Sequence, residues 1–344
     1  MPARVGGAPR LHVILLLRIY FRSVQNNMRT PFKVTSALMM LALAATPSRA
    51  ASINPATNPQ VAPMTAQEKK NLDFVLQWWR EVIYAGHVEL APKYQAETYI
   101  QHNPSINTGR AAFVEYFGKL RQPINPIPAT MPNMPVVMGA KGDFVWLIFE
   151  REDKDPRDPA NTYHHNSFDI LRLENGKVQE HWDSAQRTPT SPAVQTGVSP
   201  KPPSEWNTGK LSAEEKKTLA TGNEELKDML QYGHLELADK TMDPGYIQHN
   251  PNVPQGRDGF KQFMSRVPGR VPEPIKPEWK NAPVLTLVNG PYSVMMWDRK
   301  SKDPADPSKE YAWNHFDVVR LEKGLIKEHW DEAVINPPQP GGKK

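Results

Sequence analysis

The sequence predicts an α+β fold written twice, on three observations. The string YIQHNP at Tyr99 to Pro104 returns at Tyr246 to Pro251, and Gly-Arg follows five residues later in both places. A second string, EHWD, closes each copy at Glu180 to Asp183 and at Glu328 to Asp331. Within each copy, apolar residues first recur at helical spacing and then alternate with a period of two, as expected for helices laid on a sheet. A chain of 344 residues accommodates two domains of about 150 residues each. The expected division is 1–50 as a leader, 64–187 as the first domain, 188–211 as a linker, 212–334 as the second domain and 335–344 as a flexible tail.

Each element has its own signal. Residues 51–63 hold Pro and Asn and read as a mobile tether. Thr65 with Glu68 forms an N-cap and capping box, Leu72, Val75, Leu76, Trp79, Val82 and Ile83 form one apolar face, and Gly86 ends the helix. On this spacing Trp79 belongs to the core, while Trp78 beside it is placed to reach a partner. Ser212, Glu215 and Gly233 repeat the cap, box and stop, but Gly222 and Asn223 weaken the middle of the second helix. A short helix is expected over Val88 to Glu97, then a strand stopped by Pro104, and Gly109-Arg110 opens an aromatic-rich helix. Strands come next at Phe144 to Glu150, Tyr163 to Leu173 and Lys177 to Ser184, with a turn at Asn175-Gly176. The loops DPRDP and DPADP read as stiff turns, with a cation site as the alternative. Thr188 to Asn207 is rich in Pro, Ser and Thr and has the composition of a linker.

Composition narrows the function. Seven of the 42 Lys and Arg lie in the first 50 residues, which hold no acid, so the remainder carries 35 bases against 37 acids. A basic surface for nucleic acid is not expected. Met28 to Ala50 has the charged start, short apolar stretch and small-x-small ending of a secretory signal, so Met28 is the expected true start. The expected product is exported, periplasmic or secreted, without a stable membrane anchor after processing. There is no cysteine, which excludes thiol nucleophiles, disulfides and Cys-ligated metals. Serine-hydrolase, dinucleotide and P-loop signatures are missing too.

Strand alternation places His181 and Asp183 on one side of EHWD, with Glu180 and Trp182 on the other; His329 and Asp331 repeat the pair. Facing a partly apolar cavity, Asp183 becomes a usable general base; facing the other way, the pair is solvated and Trp182 is buried. His102 and Asn103, like His249 and Asn250, carry side chains that orient a carbonyl or enolate oxygen, or else cap the turn before the proline. Tyr163, His165, Ser167 and Asp169 share one strand face, matched by Tyr311, Trp313, His315 and Asp317. His102, His181 and Asp183, or His164 and His165, would form a two-His, one-carboxylate set, but no HExxH or helical His pair supports one, and no metal or other cofactor is expected.

YIQHNP, the Gly-Arg helix after it and the closing run FDILRLENGKVQEHWD resemble the SnoaL-like polyketide cyclase group of the nuclear transport factor 2-like (NTF2-like) superfamily, over nearly all of both copies. The resemblance implies two tandem cone-shaped domains, each with helices packed on a curved antiparallel sheet around a cavity. It also implies proton transfer next to a carbonyl, as in the cyclases and in ketosteroid isomerases, with Asp183 and Asp331 as the acidic residues and His102 and His249 as the histidines of the first string. His181 and His329 are the further candidates for polarising the oxygen. The expected partner is a small apolar or aromatic carbonyl compound, and the two copies are expected to form an intramolecular pseudo-dimer through their sheets. Because the fold also serves as a non-enzymatic module, small-molecule or protein binding without chemistry is the alternative. The first cavity, the more apolar, is favoured as the working one.

Overall fold

The computed structural model describes residues 59–335; the expected leader and cleavage site, the start of the expected tether and the expected tail beyond 335 lie outside the described residues. Among the described residues no helix is long and apolar enough to cross a membrane. Part of the expected tether is a strand: β1 (Gln60–Val61) pairs in parallel with β3 (Val137–Lys141), itself a strand within a stretch expected to be loop. The five residues VMGAK of β3 are too short and too Gly-broken for period two to declare itself.

The capping box at Thr65 and Glu68 starts α1 (Ala66–Trp78), and the one at Ser212 and Glu215 starts α4 (Ala213–Asn223). Neither helix stays α-helical to its end, because Trp79–Tyr84 and Glu224–Met229 are π-helical. A π turn takes in an extra residue and rotates the residues beyond it against the apolar stripe. Trp78, three residues beyond Val75 in the α-helical part, is fully buried against expectation, while Trp79 is half-buried, packs on the same cluster and lines a cavity.

In the first half, α2 (Ala91–Tyr94) runs directly into β2 (Gln95–Gln101), ending the expected second helix early. After α3 (Arg110–Gly118) come β3, β4 (Phe144–Lys154), β5 (Thr162–Glu174) and β6 (Lys177–Asp183). The second half repeats this with α5 (Ala238–Thr241), β7 (Met242–Gln248), α6 (Arg257–Met264), β8 (Leu285–Asn289), β9 (Tyr292–Lys302), β10 (Glu310–Glu322) and β11 (Leu325–Asp331). One sheet has the order β1-β3-β4-β5-β6-β2 and the other β7-β11-β10-β9-β8. The long hairpins are antiparallel, but β2 and β7 run parallel to the closing strands β6 and β11, a departure from the antiparallel expectation. Each of these strands enters from a helix rather than from a hairpin, so parallel pairing is open to it.

Both faces of the first sheet are buried. Val145, Leu147 and Phe149 of β4 pack with Leu72, Val75, Trp78 and Phe113 of the helices. The alternate residues Phe144, Trp146 and Ile148, with Phe168, Ile170 and Trp182, share one apolar cluster with Leu287, Val294, Met296, Phe316, Val318 and Trp330 of the second half. The Phe168 and Phe316 rings stack at 5.4 Å. Across this cluster the Trp146 indole donates to Asn289 Oδ1 at 2.8 Å, and Asn289 Nδ2 donates to the Ala140 carbonyl at 2.6 Å. Gly139 makes room for that indole, since a Cβ there would meet the Trp146 ring at 2.6 Å. The Pro- and Ser-rich residues after β6 lie back on the first half: Gly197 N–H donates to the Gln101 carbonyl at 2.8 Å, Thr108 N–H donates to the Gln195 carbonyl at 3.0 Å, and Trp206 packs on Phe144 and Trp182.

Asn289→Ala leaves the buried Trp146 N–H and the Ala140 carbonyl without these partners, and a buried polar group so stranded costs about 1–3 kcal/mol. The variant is expected to unfold at lower urea concentration by an amount in that range, measured by equilibrium denaturation with an unchanged slope; an unshifted midpoint would show that this bridge contributes nothing.

Candidate active site

The closing strand sorts its own residues. Trp182 points into the cluster between the sheets with Glu180 on the same side, and His181 and Asp183 point to the helix side: the pair is turned inward, with Asp183 on a cavity wall and His181 buried behind it, and Trp182 is buried as well rather than only in the alternative where the pair is solvated. Asp169 of β5 stands opposite Asp183, and its Oδ1 meets His181 Nε2 at 2.8 Å. From the other side β2 contributes Tyr99 and Gln101, and the turn after it contributes Asn103, whose Nδ2 donates to Asp183 Oδ2 at 2.8 Å. The Ala185 N–H donates to Asp183 Oδ1 at 3.0 Å. Gln101 is oriented by the Asn103 N–H, which donates to its Oε1, so its Nε2 is left to face the Tyr99 hydroxyl at 3.0 Å and His181 Nδ1 at 3.2 Å.

Charge is set by these contacts. Burial pushes the Asp183 carboxyl up, with the Asp169 carboxylate adding to it, against the opposing effects of His181 and Asn103. Burial works against a charged His181, but its bond to Asp169 and the charges of Asp169 and Asp183 together raise it. The Gln101 amide limits the effect, because a protonated Nδ1 would point a donor at a donor.

Asp169 and Asp183 line a cavity of about 600 Å³ together with Trp79, Phe168, Ser167, His165 and Arg151. Its far wall comes from the second half, at Asn252 and Glu332 to Val334. Asn166, on the reverse side of β5, ties the halves together here by donating to the Asp331 carbonyl at 3.1 Å.

The second half keeps the frame and changes the charges. Asp331 accepts from Asn250 Nδ2 at 2.8 Å, and His329 Nε2 meets Asp317 at 2.9 Å. Glu225, however, stands where the first half has Trp78, and its Oε1 lies 2.7 Å from His329 Nδ1. With carboxylates at both nitrogens, His329 is held well above its ordinary pKa by Glu225 and Asp317, although burial opposes the charge. His315, in the place of Ser167, bridges Asp317 at 2.9 Å and Glu332 at 2.6 Å. Burial disfavours the His315 charge, but these two carboxylates push it up to about 11. Burial alone would raise Asp317, yet the two histidines hold it far below the usual range, while Asp331 is raised by burial. Glu225, His329, Asp317, His315 and Glu332 thus form a continuous ion-paired chain.

Several expected site residues stand elsewhere. His102 stacks on Trp182 at 4.5 Å and meets Glu180 at 3.1 Å; His249 stacks on Trp330 at 4.6 Å and meets Glu328 at 3.2 Å. Both lie on the sheet face away from Asp183 and Asp331, because in an extended strand His102 points opposite to Gln101 and Asn103. They are corrected from oxygen-polarising groups to packing groups. His181 and His329 have both ring nitrogens engaged, so they position their neighbours rather than polarise a ligand. His165 lines the cavity, but Tyr163 packs beside it at 5.6 Å and is not part of the lining. Trp313 donates to Ser301 Oγ at 2.9 Å, and the Tyr311 hydroxyl accepts from the Arg187 N–H at 3.3 Å, so neither belongs to this cavity. Asp155 and Asp158 of DPRDP accept from their own turn. Gln101 and Glu225 were not expected at the site; alternation carried through YIQHNP would have found the first, and a glutamate standing where the other copy has Trp78 signalled the second. His102 does not join His181 and Asp183, since it is on the other face, and His164 and His165 point apart, one to Glu150 and Glu152 and the other to Asp153. One histidine and two carboxylates do converge in each half, at Asp169, His181 and Asp183 and at Asp317, His329 and Asp331, with ligand atoms within 4.8 Å of one another. A divalent cation at either would have to displace the existing His-Asp bond.

No family model matches the chain, and no curated protein matches it. Similar solved structures include TsrD from Streptomyces laurentii, 19% identical, covering 36% of this chain and 90% of that one with a TM-score of 0.25. A candidate SnoaL-like polyketide cyclase from Jannaschia Sp. CCS1 is 19% identical over 36% of this chain and 88% of its own, TM-score 0.26. An NTF2-like protein of unknown function from Mesorhizobium loti is 14% identical over 36% and 96%, TM-score 0.26. Likeness at that level bears on no residue's role.

Two measurements check the charge assignments. A carboxyl raised on folding binds its proton more tightly in the native state, so stability falls as pH rises from the ordinary 3.8 through the folded value and stays reduced above it. Asp183→Asn removes that loss: at pH 7 its Tm is expected to equal or exceed that of the parent, the difference closing below pH 3.8; a Tm several degrees lower at pH 7 would contradict the assignment. In ¹⁵N-detected imidazole spectra, His329 is expected to keep both ring protons to higher pH than His181, and Glu225→Gln is expected to narrow the gap. The reverse order would mean that Glu225 does not set the charge.

Proposed function

We propose that the first half is an acid-base catalyst that moves a proton alpha to a carbonyl, in an aldol-type cyclisation or an isomerisation, with Asp183 as the base. The observation that carries this reading is a carboxylate of raised pKa, held by Asn103 and the Ala185 N–H, on the wall of a part-apolar cavity. Asp183 takes the proton; the electron pair of the broken C–H bond moves to the carbonyl oxygen as an enolate, and the Asp183 carboxyl then returns a proton to the same or another carbon. Ser167 is suited to receive the enolate oxygen, because its Oγ accepts from Arg151 Nε at 2.9 Å and keeps its own proton to donate. His181 holds Asp169 in place beside the base.

The second half is read as a binding or structural module without chemistry of its own, since its equivalent groups are locked in ion pairs. The two sheets act as a pseudo-dimer within one chain, a reading supported by the apolar cluster they share. The leader supports an exported mature protein, and the mass of the N-terminus after expression tests that.

The functional test is an NMR time course in D₂O with 1,3-dicarbonyl and enone compounds. Exchange of alpha protons above buffer is expected in the parent, with Asp183→Asn lower by roughly 10²- to 10⁴-fold and Asp331→Asn unchanged. Line broadening of the compounds without any exchange would replace this reading with the binding module.

A further inference from the structure

The same cavity holds a cation that pairs with none of the carboxylates around it. Arg151 lines it, and its guanidinium lies over the Phe149 ring at 4.9 Å with Nε fixed on Ser167 Oγ. The neighbouring acids are taken: Glu150 and Glu152 pair with His164, and Asp153 pairs with His165, the residue directly across the strand pair from Arg151. Among the described residues no carboxylate is within salt-bridge distance of Arg151, whereas Arg187 has one and Arg172 and Arg320 have two each. Ring and serine together fix the guanidinium plane while using only its Nε–H. The Nη donors, the pair suited to bidentate recognition of a planar anion, are uncommitted.

We infer that the ligand of the first half is an anionic carbonyl compound, one whose carboxylate sits on Arg151 while its carbonyl-bearing carbon faces Asp183. This rests on the acid-base reading and narrows it to a substrate class. It also gives the two halves a reason to differ. The second half has Arg299 at the matching strand position, but His315 replaces the serine that steadies Arg151, and His315 is itself committed to Asp317 and Glu332. The steadied guanidinium is thus a property of the first half.

The test uses the full chain with 4-oxopentanoate and 2-oxobutanoate against their methyl esters, following ligand line broadening and alpha-proton exchange together. The parent is expected to bind the acids about 10- to 100-fold more tightly than the esters, the range of one charge-assisted contact, and to lose that preference at high salt. Arg151→Met is expected to abolish the preference by weakening acid binding far more than ester binding, and Arg151→Lys to restore part of it. Their unfolding midpoints are read in parallel, and Ser167→Ala, which frees the guanidinium without removing it, is expected to weaken acid binding more than ester binding. Equal binding of acid and ester by the parent, absence of acid binding, or an acid preference that survives in Arg151→Met would overturn the inference. Ester exchange that depends on Asp183 would still stand in those cases, so failure of the anion subsite and failure of the acid-base reading are separable.

Discussion

The structure turns on a single constraint: the first sheet has water on neither face over most of its area. A strand buried on both sides cannot use alternation to separate apolar from polar; it uses alternation to separate two interiors. In β4, residues of odd number serve the helix side and residues of even number serve the second half. In β6 the same alternation sends Trp182 one way and His181 with Asp183 the other. The carboxylate reaches its desolvated position as a by-product of that sorting, without any loop to carry it there. A site set on rigid strands in this way has little freedom to relax when its charges change.

How much of this the sequence disclosed depends on the length of each signal. The duplication, the capping boxes, the long hairpin strands and the inner-face partnership of His181 with Asp183 were all legible, since each rests on a pattern of several residues. The short strand at Val137–Lys141 was not, because five residues including a glycine do not establish a period. Trp78 was underrated because positions three and four beyond Val75 both border the apolar face of a helix, and spacing alone does not rank the two; the pattern does not announce the π-helical turn that follows from Trp79 either. His102 misled for a different reason: histidine invites a chemical role, yet its neighbour Gln101 has the inward position and is the residue that orients His181.

One exchange, Trp78 for Glu225, separates the two halves chemically. Against tryptophan and an amide, the histidine of the first half has one donor-facing and one acceptor-facing nitrogen; against a buried carboxylate, the histidine of the second is clamped on both sides. The ion-paired chain beyond it, through Asp317 and His315 to Glu332, resembles buried salt-bridge networks in general, where breaking one partner costs more than the intact pair contributes. The same backbone frame therefore holds a titratable group ready in one place and fixed in another.

The contact between Trp146 and Asn289 has an implication of its own. Offsetting the halves by their repeat, the reciprocal pair would be Val294 with Lys141, which can form no such bond; Lys141 instead meets Glu215 at 2.6 Å. Between two identical chains related by a two-fold axis, every contact occurs twice, so a residue suited to one side is imposed on the other. Joining the copies end to end removes that requirement of symmetry. Each half can then carry substitutions that an interface of equals would forbid, and the lopsided hydrogen bond at Trp146 is of the kind such an interface could not hold.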